Sequence, residues 1–274
     1  MSGEVEAQSE AVGQGTGEVG HGAAEGAAHG MGGHSPLEQF EIERLIPIQI
    51  GGLDVSFTNS ALFMMIAIAL ITLLLTASVS RGALVPGRLQ SMTELSYEFI
   101  ANMIRENVGS EGRQYFPFIF SLFMFILFGN LLGMVPFTFT YTSHIIVTFA
   151  LAALVFVGVT VIGFVRHGAK FLKLFVPSGV PVFLLPLLVV IEVLSYLTRP
   201  ISLSVRLFAN MMAGHTMLKV FGGFVVALGI LGGWAPLVFI VALTGLEIGI
   251  AVLQAYVFTI LTCIYLNDAI HLHH

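Results

Sequence analysis

Residues 181–224 form an apolar, helix-compatible run of 44 residues that carries only scattered charges. As one helix the run is about 66 Å long at 1.5 Å per residue. A bilayer's hydrocarbon core is about 30 Å thick, and tilts of up to about 40° do not reconcile the two lengths. Residues 235–267 pose the same problem, at about 50 Å. Either the first run breaks into two spans at Pro200, or it stays one strongly inclined helix. A break would fall in TRPISLSVR, which has no turn-forming glycine and has charge on both sides. Two long, steeply tilted helices are therefore expected, joined as a hairpin near Gly232–Gly233, with Pro186 and Pro200 marking bends rather than ends.

Three shorter apolar stretches, 57–80, 115–136 and 143–165, are each long enough to cross the membrane, which takes roughly 20 helical residues. Residues 88–107 differ. Leu89, Met92, Leu95, Phe99 and Met103 recur at helical spacing, while Arg88, Glu94, Glu98, Asn102 and Arg105 take the other side. That pattern predicts an amphipathic helix lying on the membrane surface or on a partner. The fold class is thus all-α: a polytopic membrane protein of about five membrane-embedded helices plus one amphipathic surface helix. Composition agrees, with 56% hydrophobic and 10% charged residues and a mean hydropathy of +0.93. A soluble domain carries about 25% charge, so a water-soluble globular enzyme is excluded. A net charge of −5 leaves no electrostatic footprint for nucleic acid.

Residues 1–36 are a separate region, rich in Gly, Ala and Glu and without Lys or Arg. Such a segment buries too little apolar surface to offset its ordering entropy, so a disordered tail is expected ahead of a membrane domain at 37–274. His21, His29 and His34 are irregularly spaced and read as part of a solvated tail rather than a metal site. The tail resembles neither a signal peptide nor an Arg-rich transit sequence, which favours a bacterial protein or one made inside an organelle. Arg81, Arg88, Arg105, Arg113, Arg166, Lys170 and Lys173 all fall in alternate connections, whereas 137–142 and 225–234 have no basic residue. By the positive-inside rule the N-terminus is outside and the C-terminus cytoplasmic. Cys263 is the single cysteine and forms no internal disulfide.

Ionisable groups inside apolar helices cost about 2.5–3.5 kcal/mol each at the bilayer centre on insertion scales, so each is a functional candidate. The hairpin holds Glu192, Arg199, Arg206, His215, Lys219 and Glu247. Lys219, near the outer end, reads as a snorkelling side chain. Glu192, Arg199 and Arg206 lie seven apart and form one stripe, with Ser202, Asn210 and Ala213 close to Arg206 on the helical wheel. Small residues let another helix approach, so this face reads as a docking surface for another chain. An internal Glu192–Arg199 ion pair is an equally open alternative. Arg206 has no acid three or four residues away and cannot lose its proton, so it needs a carboxylate from elsewhere. His215 is nine residues on, about 180° around the helix, and points toward the rest of the chain. On the last helix Glu247 and Gln254 share a face, beside a G-x-x-x-G pair at Gly245 and Gly249. An acid and an imidazole on opposite arms of a hairpin suggest a proton path. Asn130 and Pro136 read as helix-packing residues. No phosphate-binding loop, dinucleotide fingerprint or nucleophile elbow is present, and no cofactor is expected.

Three passages, FGNLLGMVPF at 128–137, SLSVRLFANMMAGHTM at 202–217 and LEIGIAVLQAYVFTIL at 246–261, resemble the a subunit of F-type ATP synthases, of the type found in mitochondria and related bacteria. The resemblance covers roughly residues 37–272. It implies a hairpin of near-horizontal helices packed against a rotating c-subunit ring, with the family's essential arginine at Arg206 and Asn210 one turn on. Gln254 matches a motif glutamine on the facing helix, and Glu192 an acid linked with the inner access path. Many bacterial members have Glu where this chain has His215 and His where it has Glu247. The exchange keeps one acid and one imidazole, so the outer path is expected to survive it. The resemblance implies a proton-translocating stator subunit in a bacterial inner membrane, with the mitochondrial inner membrane as the alternative. Its partners would be the c ring, b-type peripheral-stalk subunits, membrane lipid and, indirectly, the nucleotide-processing F1 sector. The chain itself would make no ATP. A secondary transporter is the rival class, but no inverted repeat is evident.

Overall fold

A computed structural model describes residues 44–47, 49–50, 53–54, 56–80, 87–135, 138–176 and 183–271. The tail at 1–36 with its three histidines, Arg81 and Pro136 lie outside these residues. Two small antiparallel ladders precede the first span. One pairs β1 (Arg44–Ile46) with β4 (Phe57–Thr58), the other β2 (Gln49–Ile50) with β3 (Leu53–Asp54). The described elements after them are helices: α1 (Asn59–Ser80), α2 (Arg88–Asn107), α3 (Phe116–Gly133), α4 (Ile145–His167), α5 (Leu185–Gly232) and α6 (Trp234–Ile270). Short 3-10 turns at Ser110–Tyr115, Tyr141–Ser143 and Gly168–Phe175 lead into or out of the spans.

Five of these helices are long and apolar enough to cross a membrane. The exception is α2, whose bounds match the amphipathic segment read from the sequence. Of its apolar stripe only the last residue, Met103, is buried, however. Leu89, Met92, Leu95 and Phe99 are exposed, and the helix is held instead by Ile100, Met103 and Ile104 at its C-terminal half. The start of α2 is tied to the end of α1, where the Ser78 hydroxyl is 2.8 Å from that of Thr93 and 3.1 Å from the Leu89 carbonyl. The outward apolar stripe has the composition expected of a surface facing lipid or another subunit.

The main core joins Ile100 and Ile104 of α2, Ile119 and Phe123 of α3, Val155 of α4, Leu207 of α5 and Phe258 of α6. Asn130, fully buried in α3, donates its amide N–H to the Ala251 carbonyl of α6 at 3.2 Å, so this polar residue does fasten two helices. Nearby, Gly129 lies against Tyr141, whose hydroxyl donates to the Phe125 carbonyl at 2.9 Å. A Cβ at 129 would meet the buried Tyr141 ring, which that hydrogen bond holds in place. Overpacking of this kind costs about 1–3 kcal/mol, against at most about 1 kcal/mol gained from better helix propensity. Gly129→Ala is therefore expected to lower thermal stability, read as an earlier loss of the monodisperse protein peak in a heat-challenge size-exclusion assay. An unchanged profile would show that the Tyr141 ring has somewhere to go.

The long hairpin follows the unbroken alternative. α5 runs through Pro200 as one helix, and only Gly229 inside it is non-helical, with φ 60° and ψ −159°. Proline removes one backbone donor but leaves its own first-turn position undisturbed. That second property corrects the expectation for Pro186, which stands in the first turn of α5 and marks no bend. The turn also comes slightly early. The chain departs from helix at Gly229, in a backbone region open essentially to glycine, and Gly233 N–H then donates to the Gly229 carbonyl at 2.8 Å. α6 returns along α5 as the second arm.

Candidate functional site

α5 divides sharply by face. Leu203, Ser204, Leu207 and Met211 are buried, and the Ser204 hydroxyl is 3.1 Å from that of Thr148 in α4. On the other side Ser202, Arg206, Asn210 and Ala213 are all exposed. Among the described residues no hydrogen bond or ion pair engages Arg206. The 3.6-residue period accounts for both faces at once, since positions three and four apart share a side.

Arg199, on the same stripe, is quite different. Its Nη1 lies 3.0 Å from Oδ2 of Asp268 on α6, and its guanidinium carbon sits 5.5 Å and 5.0 Å from the ring centroids of Tyr196 and Tyr265. The alternative of a Glu192–Arg199 pair is thereby set aside. Glu192 is half-buried, and the acid that Arg199 takes comes from the facing helix. Reasoning along a single helix considers only neighbours on that helix, so it missed Asp268. The available signal was that α6 carries just two acids, Glu247 and Asp268.

His215 projects to the opposite side from Arg206 and is half-buried. Its Nε2 is 3.1 Å from the Thr140 hydroxyl, in the connection between α3 and α4, and its Nδ1 is 3.9 Å from Glu247 Oε2. Glu247 is 8% exposed, and neither carboxylate oxygen has a hydrogen-bond partner among the described residues. A buried carboxyl without donors carries a large desolvation cost when ionised, so it is suited to exchanging a proton with the imidazole beside it. Asn130 Oδ1, Thr142 Oγ1 and His144 Nε2 are also buried and unmatched among the described residues. Sequence reading passed over Thr140 and Thr142, which lie in a connection, and His144, at the edge of the span 143–165; the polar run TYTSH was the signal.

Gln254 is buried on the same side of α6 as Glu247. A Cβ added at Gly245 or Gly249 meets nothing within 4 Å among the described residues, so no other part of the described chain makes the close contact their spacing allows. The glycine that matters is Gly214. A Cβ there would strike the Glu247 carboxylate, so the missing side chain is what lets that group lie against α5 beside His215. Gly214→Ala is expected to push the Glu247 carboxylate out of line and to slow proton flux by up to about a hundredfold, the scale that an ångström-level misplacement can reach, with assembly preserved. Flux equal to the parent's would show that the carboxylate position is unimportant. Lys219 is half-buried, one turn beyond His215.

A multi-spanning helical protein with an uncovered guanidinium on one face of a long helix, and a carboxylate–imidazole pair on the other, belongs among the machines that move ions through membranes. The family model for the ATP synthase A chain matches residues 61–267. The chain is 63% identical over 241 residues to ATP synthase subunit a of Pelagibacter ubique (strain HTCC1062), covering 88% of this chain and 99% of that one. It is 62% identical over 245 residues to the same subunit of Paramagnetospirillum magneticum (strain ATCC 700264 / AMB-1), with 87% and 99% covered. For Rhodospirillum rubrum the identity is 58% over 240 residues, with 88% and 100% covered. This chain belongs to the ATP synthase subunit a family. It is therefore a non-catalytic, proton-translocating stator subunit of the synthase membrane sector, a multi-pass protein of the bacterial inner membrane.

Proposed function

We propose that this chain offers two offset half-channels to the carboxylates of a c-subunit ring, with Arg206 keeping the two paths apart. The observation that carries the reading is the position of Arg206: exposed on a stripe of small and polar residues, with no acid engaging it among the described residues. A permanent cation on a membrane helix requires an anionic partner, and the open face leaves room for one from another polypeptide. Protons enter from outside past His215 and Glu247, which are 3.9 Å apart, and pass to a rotor carboxyl at mid-membrane. The neutral carboxyl then turns through lipid almost once around. On its return it meets Arg206, whose charge favours the ionised form, and it releases its proton toward an inner path near Glu192. The same charge repels a proton that would short-circuit the two paths. Asn210 and Gln254 line the approach on the two arms.

The driving force is the transmembrane potential, about 2.3 kcal/mol per charge per 100 mV. Basic residues gathered in alternate connections support an outside N-terminus and a cytoplasmic C-terminus. Protons rather than sodium fit the lack of an obvious oxygen-rich cage in the sequence. The b-type subunits of a peripheral stalk hold the stator still against the ring, and through them the chain is coupled indirectly to the F1 sector. Affinity purification of the tagged chain in mild detergent tests the partners: a c ring and a stalk are expected to travel with it. A chain that purifies alone and still moves protons in vesicles would refute the reading.

A further inference from the structure

Arg199 and Arg206 lie seven residues apart on one stripe of α5, about 10.5 Å along the axis. Both are permanently charged. Yet Arg199 is bound by Asp268 at 3.0 Å and flanked by the rings of Tyr196 and Tyr265, whereas no acid engages Arg206 among the described residues. The clamp is itself anchored, since the Tyr196 hydroxyl is 2.7 Å from that of Thr160 in α4 and its ring packs on Phe156. One antiparallel register of the hairpin sets Glu247 beside Gly214 and His215, and Asp268 beside Arg199.

We propose that Asp268 cancels the charge of Arg199, so that the stripe shows the passing rotor carboxylates a single unopposed cation, Arg206. This rests on the rotary reading above. Two unopposed guanidinia along the same path would give an ionised carboxylate two resting places. The second would hold it after its proton has left, delaying the step toward Arg206. Asp268 is on this account a positioning residue that acts through Arg199.

The test uses the whole ATP synthase in vesicles, scored for assembly and for ATP-driven proton pumping. Asp268→Asn frees Arg199 and is expected to slow pumping about tenfold, the rate equivalent of a modest unmatched charge interaction. The neutral double variant Arg199→Gln with Asp268→Asn is expected to recover most of the parent rate, whereas Arg199→Lys with Asp268→Asn stays slow. A mere structural clamp predicts the reverse order, with the double variant at least as impaired as the single. That result, or normal pumping by Asp268→Asn, overturns the proposal. If Asp268→Asn does not assemble by itself, the contrast between Arg199→Gln and Arg199→Lys, each combined with Asp268→Asn, decides. Arg206→Ala is run beside them: if it pumps, the rotary reading itself has failed, whatever the Asp268 variants do.

Discussion

Arg206→Ala is expected to abolish both ATP synthesis and ATP-driven proton pumping while leaving the assembled complex intact. Assembly should survive because the side chain is exposed and no described residue of this chain depends on it. The buried neighbours that hold α5, Leu203 and Leu207, face the other way. Activity should not survive, because two duties are lost together. Without the cation a rotor carboxyl has no reason to ionise at that point in lipid, and each loss of about 1.4 kcal/mol slows the step tenfold. Nothing then stops a proton from passing directly between the half-channels. The measurable signature is a complex of normal subunit composition whose membrane sector leaks protons without making ATP. Sustained, coupled pumping by the variant would contradict the assignment of Arg206.

The second large effect concerns Glu247. Glu247→Gln keeps the volume and the contact with Gly214 but removes the group proposed to carry the proton. Proton flux through the membrane sector is expected to fall by about a hundredfold, the lower end of what a positioned acid or base contributes. His215→Ala should slow flux in the same assay, and neither variant should displace the rotor, which on the proposed reading meets the opposite side of α5. Because the two groups are 3.9 Å apart and, on the proposed reading, serve one transfer, their effects should not add. The double variant should be little worse than Glu247→Gln alone. Additive losses would mean that they act at separate points, and normal flux in both single variants would remove them from the path.

Much of this architecture is legible along the chain because hydrophobic length is a one-dimensional property. The five apolar runs, the bounds of α2 and the unbroken passage through Pro200 all follow from it. The two faces of α5 follow equally from a 100° step, which is why Arg206, Asn210 and Ser202 emerge on one side and His215 on the other. On α6 the same periodicity serves well at Glu247 and Gln254. It serves poorly at Gly245 and Gly249, since a small-residue spacing announces that something can approach closely, not which molecule does. The outward turn of Leu89, Met92 and Leu95 has a similar cause. In lipid an apolar stripe no longer has to face the protein interior, so amphipathicity fixes an axis but not which side packs.

Local periodicity is thus enough to place the helices, their faces and the charged residues they carry. Pairings between distant segments need the folded hairpin. Asp268 finding Arg199, Thr140 finding His215 and Gly214 making room for Glu247 all depend on the relative register of elements, which is set by packing and by the glycine break at 229. Register is a collective outcome of many weak contacts, and no single stretch of sequence encodes it.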